Sequence, residues 1–392
     1  MMRLSQAAAI PHSQIRAIAS LAEAYPGTLR LFVGEDSRPT PDFIKAAAHA
    51  AIEADQTYYT PNAGTIEARQ ALSEHVLALH GIALDPRTRL IITASGMNAI
   101  VLAVQATLGP ESSAIVVTPC WPNLSAAVAV TGATPIQVPL ALDGDRYTLD
   151  FDRLTAAARP DTRLLALATP GNPTGWMATA DDWTRLAAWC ERHNVWLLVD
   201  SVYERIVFQG RVAPSPFAEP RLLERLIVVN SLSKAYRMTG WRVGWVAGPE
   251  RLIQSMTGFQ EFAVSCVAGV VQAAAIAAWR DGEAHIAESQ ARYAHQVELA
   301  IGRLQALPGL RCTRPDGGFY VFPGIDGLGE SFAWCQRLVR EYRLGLAPGS
   351  SFGAGGEGHV RFCVAVEEAI LVEALERFTQ GYLRWRDRSG DD

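Results

Sequence analysis

Lysine is nearly missing from this chain of 392 residues: of its 35 basic side chains, only Lys45 and Lys234 are lysines. Basic runs are missing too. Forty acidic residues are spread along the sequence and the net charge is -5, so no stretch carries the electrostatic footprint a nucleic-acid backbone demands. Nucleic acid is therefore not expected as a partner. Cysteine is sparse, and Cys120, Cys190, Cys266, Cys312, Cys335 and Cys363 lie far apart with no C-x-x-C pair. That usage points to reduced thiols and a cytoplasmic setting, not to a disulfide frame or a metal site. The opening MMRLSQAAAIPHSQI lacks a secretory apolar core, having only AAAI before Pro11. No G-x-G-x-x-G follows the first expected strand, which argues against a dinucleotide-binding oxidoreductase. One charge-free stretch, residues 262 to 279 (FAVSCVAGVVQAAAIAAW), has the length of a membrane span. Its many small residues, with Ser265 and Gln272 among them, predict instead a buried, closely packed helix and no membrane.

What is present is apolar and periodic. About half the residues are hydrophobic, enough for a large core and for about two domains. Short unbroken runs recur: RLIIT (89–93), SAIVVT (113–118), PIQVP (135–139), RLLALAT (163–169), WLLVD (196–200), LIVVN (226–230) and VGWVA (243–247). Unbroken runs suit strands covered on both faces. Helical patterns lie between most of them, such as TADDWTRLAAWCERHN with Thr179 as an N-cap. The expectation is an α/β fold: a mostly parallel, doubly wound, seven-stranded sheet with helices on both faces. The short link before VGWVA makes that last strand antiparallel. Beyond about residue 285 the texture changes to a long helix and then LRCTRPDGGFYVFPGI, where Asp316-Gly317-Gly318 separates two strand-like pieces, followed by HVRFCVAV. The division expected is a large domain over 41–285 and a smaller α+β domain built from 1–40 and 286–392.

In doubly wound sheets ligands sit beyond the carboxyl ends of the strands, and the residues there form an unusual set. RLIIT leads into Ser95-Gly96-Met97 at a helix start, where free N–H groups and a positive dipole end suit a phosphate. SAIVVT leads to Trp121, RLLALAT to Asn172 in PGNPTG, WLLVD ends on Asp200 with Tyr203 close behind, and LIVVN runs into SLSK with Lys234. Each has an ordinary alternative: a cap for Asp200, a turn for Asn172, core packing for Trp121 and Tyr203, a solvated charge for Lys234. Together they match one planar, phosphorylated heteroaromatic aldehyde.

That ligand is pyridoxal 5′-phosphate, and the motifs closely resemble the class I/II aminotransferases of fold type I, the aspartate aminotransferase-like group. SLSKAYRMTGWRVGW carries the most specific match; PGNPTG, DSVY, GGFYVF and HVRF extend it over nearly the whole chain. The resemblance implies that Lys234 forms the internal aldimine and shuttles the proton between the α-carbon and C4′. It implies that Asp200 pairs with the pyridinium nitrogen, Tyr203 and Asn172 with the ring oxygen, and Trp121 stacks on the ring. Ser95, Gly96, Met97, Ser231 and Arg242 would hold the phosphate. Tyr59 would reach the phosphate of a neighbouring subunit, so a homodimer with shared sites is implied. Arg361 would grip the substrate α-carboxylate, helped by backbone at Gly34 and by Asn172.

The function this implies is transfer of an amino group from an L-amino acid to a 2-oxo acid by a ping-pong mechanism. A lyase or cyclase on the same scaffold is the alternative, and a regulatory protein without turnover is disfavoured by the presence of Lys234 and Asp200. Two positions depart from the family pattern. Met97 stands where the prokaryotic aspartate enzymes commonly have a lysine, which moves favour from dicarboxylic toward apolar or aromatic donors. Cys120 stands where a serine is frequent, a change that packing tolerates.

Overall fold

The computed structural model describes residues 12–389; residues 1–11, on which the reading of an export signal fell, lie outside that range, as do 390–392. All seven apolar runs enter one sheet: β1 (Leu90–Thr93), β2 (Ser113–Thr118), β3 (Thr134–Pro139), β4 (Thr162–Ala168), β5 (Trp196–Asp200), β6 (Leu226–Ser231) and β7 (Gly244–Ala247). The order across the sheet is β1-β7-β6-β5-β4-β2-β3. Every pairing is parallel except those of β7, which runs antiparallel to both β1 and β6.

The strands are apolar throughout because both faces are covered. Alternate residues feed two separate cores: Ile92, Ile115, Val117, Leu165 and Leu167 point into one, and Ile91, Ala114, Val116, Leu164 and Ala166 into the other. Period-two geometry dictates that split. Each fully buried Leu, Ile or Val contributes about 1.5–3 kcal/mol of transfer free energy. The helix at Ala180–His193 starts where predicted, with a reciprocal capping box: the Asp182 amide donates to the Thr179 hydroxyl (3.1 Å) and the Thr179 amide to the Asp182 carboxylate (2.8 Å).

The charge-free stretch at 262–279 is not one buried helix. A helix ends at Ala263, a loop holds Ser265 at φ 63°, and a second helix begins at Gly269. Phe262 is 86 % exposed, so this part of the stretch faces out of the chain. Among the described residues no helix is long and apolar enough to cross a membrane.

A third core gathers residues from both ends of the described chain, among them Ile18, Leu31 and Phe32 with Tyr293, Phe319, Tyr320, Phe362 and Phe378. Leu29–Arg30 pairs in parallel with Leu344–Gly345. The two pieces flanking Asp316-Gly317-Gly318 do not pair with each other. Leu310–Arg311 joins Gly324–Ile325, whereas Tyr320–Val321 joins Val360–Cys363. The glycine loop instead turns onto the region beyond β5, the Gly318 amide donating to the Ile206 carbonyl at 2.7 Å. That docking holds Tyr320 over the carboxyl end of the large sheet.

Candidate active site

β5 and β6 are parallel neighbours, so their carboxyl ends deliver Asp200 and the turn from Ser231 to Lys234 to one edge. Asp200 is buried and accepts from the Val202 amide at 3.2 Å. Burial pushes its carboxyl up to about 6, against the pull of that amide and of Lys234. Lys234 is half-buried and its amine donates to the Gly34 carbonyl. Burial pushes the amine down to about 8, and the Arg361 and Arg242 guanidiniums push the same way. Burial thus moves both titrations toward neutral pH at the ends of adjacent strands.

Arg361 comes from the strand Val360–Cys363 and is 2 % exposed. One terminal nitrogen donates to the Asn172 side-chain oxygen at 2.9 Å and the other to the Phe32 carbonyl at 2.6 Å. Its guanidinium carbon lies 4.4 Å from the Tyr320 ring centre and 5.1 Å from that of Phe352. The head is therefore fixed by two hydrogen bonds and two aromatic rings, while its buried Nε has no partner. A fixed guanidinium with donors to spare is suited to a carboxylate. The Gly34 carbonyl accepts from Lys234, and the Phe32 carbonyl is the backbone partner of Arg361.

The helix Gly96–Thr107 begins beside Ser231. A Cβ added at Gly96 would stand 3.3 Å from the Ser231 Cβ, so glycine permits the close approach. Ser95 caps the helix, accepting from the Asn98 amide at 3.1 Å, and sits at φ 136° in a region that side-chain-bearing residues avoid. Arg242, at φ 53°, is exposed and donates to the Thr239 carbonyl at 2.6 Å. Strained backbone of this kind costs about 1–3 kcal/mol and concentrates at ligand sites. Trp121 and Met97 are half-buried against the same core. Tyr59 is 91 % exposed and does not enter the site of its own chain.

Three contributors were not singled out from the sequence. Tyr320, Phe32 and Phe352 surround Arg361, and the Tyr320 hydroxyl also lies 2.7 Å from that of Tyr203. GGFYVF carries part of the family resemblance, but a run of four apolar or aromatic residues does not tell which ring lies against Arg361. Behind the site, Asn230 donates to Glu204 at 2.7 Å while its own oxygen accepts from the Ser231 amide at 2.7 Å. His80 meets the other Glu204 oxygen at 3.2 Å. Among the described residues no group of three or more His, Cys, Asp or Glu side chains is placed to hold a metal.

The family model for aminotransferase class I and II matches residues 26–378. The chain belongs to the class I and II aminotransferases. Aromatic-amino-acid aminotransferase 2 of Thermococcus litoralis is 33 % identical over 368 residues, covering 93 % of this chain and 94 % of that one. The aspartate aminotransferase of Rhizobium meliloti strain 1021 is 36 % identical over 377 residues, covering 92 % and 90 %. Among solved structures, the Rhizobium meliloti aspartate aminotransferase superposes with a TM-score of 0.92 at 32 % identity, over 98 % of this chain and 99 % of that one. The Thermus thermophilus aspartate aminotransferase with maleate gives 0.90 at 29 %, over 97 % and 100 %. This aminotransferase depends on pyridoxal 5′-phosphate, and nothing among these relatives favours the lyase alternative. The residues present fit the cofactor. Helix geometry leaves the amides of Gly96 and Met97 without intrahelical acceptors, next to the Ser231 hydroxyl, and a carboxylate and an amine lie beyond them.

Proposed function

We propose that this aminotransferase carries an amino group from an L-amino acid to a 2-oxo acid in two half-reactions run in one pocket, with Lys234 as the amine that takes the cofactor and moves the proton. Bound pyridoxal 5′-phosphate supplies an aldehyde and an electron-withdrawing ring. Lys234, pushed down to about 8, is uncharged for a useful fraction of the time near neutral pH, as attack on a carbonyl carbon and proton uptake require. Asp200 would pair with the ring nitrogen of the bound cofactor, and a protonated nitrogen there would draw its carboxyl back into the ordinary acidic range. Tyr203 and Asn172 serve the ring oxygen and Trp121 the ring face. Ser95, Gly96, Met97, Ser231 and Arg242 hold the phosphate, and Arg361 takes the substrate carboxylate.

The observation that carries this reading is the convergence of the Lys234 amine, the buried Asp200 carboxyl and the Asn172-held Arg361 at one strand end. For the donor we favour an apolar or aromatic side chain over a dicarboxylic one, since Met97 can pack against such a group and cannot donate to a carboxylate. The assembly is a homodimer in which Tyr59 serves the neighbouring site. Six free cysteines suit a reducing compartment such as the cytoplasm.

Borohydride reduction of the cofactor-loaded protein, followed by peptide mass mapping, is expected to place the added mass on Lys234 and not on Lys45. Loaded protein mixed with single amino acids, without acceptor, should then change its visible absorbance fastest with aromatic or large apolar donors. Mass on Lys45 alone, or no absorbance change with any amino acid, overturns the assignment.

A further inference from the structure

Tyr203 carries one hydroxyl hydrogen, and that hydroxyl has a neighbour inside the protein. The Tyr320 hydroxyl lies 2.7 Å away, both phenols are buried, and the rings meet edge to face with centres 5.6 Å apart. A phenol donates once and can accept at the same time. If Tyr203 spent its hydrogen on Tyr320, it could not donate to a ligand. If Tyr320 donates, the Tyr203 hydrogen is free.

Resting on the role of Tyr203 given above, we propose that Tyr320 is a positioning residue for the Tyr203 hydroxyl. It donates to the Tyr203 oxygen and so turns the Tyr203 hydrogen toward the ring oxygen of the bound cofactor. The same side chain lays its ring on Arg361 with the guanidinium carbon 4.4 Å from the centre, so one residue braces the carboxylate grip and the ring-oxygen donor together. Gly34 makes room for it: a Cβ there would stand 2.5 Å from the Tyr320 hydroxyl. The charged and titratable groups around the pair are Asp200 and Arg361 beside Tyr203, and Arg361 and Cys363 beside Tyr320. Burial holds both phenols above the ordinary tyrosine range, so the pair stays protonated through neutral pH. Hydrogen bonds in a chain strengthen one another, which makes Tyr203 the stronger donor for having accepted.

With cofactor bound, a donor at the ring oxygen would favour the anionic oxygen and so lower the pH at which the visible absorbance changes. The test is the pH titration of the visible absorbance of the loaded protein without substrate. Tyr320→Phe keeps the ring on Arg361 and removes only the hydroxyl. Its titration midpoint should rise by about half a pH unit or more, with KM for the amino acid near that of the unaltered protein and kcat lowered. Gly34→Ala, which displaces the hydroxyl and keeps all the tyrosines, should raise the midpoint in the same direction. In a Tyr203→Phe background, Tyr320→Phe should add nothing. The proposal is overturned if Tyr320→Phe leaves the midpoint in place, or if its shift persists in full without the Tyr203 hydroxyl. Failure of borohydride to mark Lys234 in the unaltered protein would instead sink the assignment on which the proposal rests.

Discussion

Asp200 and Lys234 each spend folding free energy on being where they are. The Asp200 carboxyl is pushed up to about 6 in the folded chain, above the 3.8 of an ordinary aspartate, so the folded state binds more protons between those values. Stability therefore falls as pH rises through that window, and the penalty is complete above about pH 6. The cofactor-free Asp200→Asn protein should be more stable than the unaltered one at pH 7 by on the order of 2–3 kcal/mol. The gain should vanish near pH 4, as read from urea midpoints at the two pH values. An equal gain at both would show that the carboxyl is not desolvated. Lys234 was legible because lysine is so rare here and because it stands in SLSKAYRMTGWRVGW. Tyr320 and Phe352 were not, because an aromatic in a buried segment reads as core until its neighbour is known.

Elements position these residues through close backbone contact. β7 crosses beside the start of the helix Gly96–Thr107, and a Cβ on Gly244 would stand 2.6 Å from both the Asn230 carbonyl oxygen and the Gly96 nitrogen. Those atoms are main chain and cannot swing aside. Gly244→Ala should cost about 1–3 kcal/mol of stability and weaken cofactor binding at least tenfold, by denaturant titration and by absorbance titration with cofactor. A stability loss without a binding loss would separate the strand from the proposed phosphate cradle. The strands themselves were readable because burial on two faces demands unbroken apolar runs. Their order was not, since nothing in GWVA tells that it lies between β1 and β6. Two-residue strands such as Tyr320–Val321 are too short for periodicity to register. In the stretch at 262–279 absence of charge does not mean burial within one chain, since Phe262 is exposed and the helix breaks after Ala263.

The whole molecule presents an apolar face that a lone chain leaves wet. Tyr58 and Tyr59 are 82 % and 91 % exposed, and Phe262 is 86 % exposed on a neighbouring segment. The two segments are tied together, the Thr60 hydroxyl donating to the Val267 carbonyl at 2.9 Å and Gln272 donating to Thr60 at 2.9 Å. Large aromatic groups clustered on a surface mark an association site. On the proposed homodimer, Phe262→Asp should shift the assembly from two chains to one in sedimentation and, by withdrawing the neighbouring chain's tyrosine at position 59, raise the cofactor dissociation constant about tenfold or more. A protein that stays dimeric, or that loses the dimer with cofactor affinity intact, would break the link between assembly and site.

The near-absence of lysine has a use outside catalysis. Lys45 sits on the helix Asp42–Glu53, its side chain 41 % exposed and paired with Asp42. On the proposed assignment, with Lys234 covered by cofactor, Lys45 is the one lysine side chain left for amine-directed reagents. Dyes or solid supports coupled there would hold every molecule by the same point and leave the pocket in one uniform orientation.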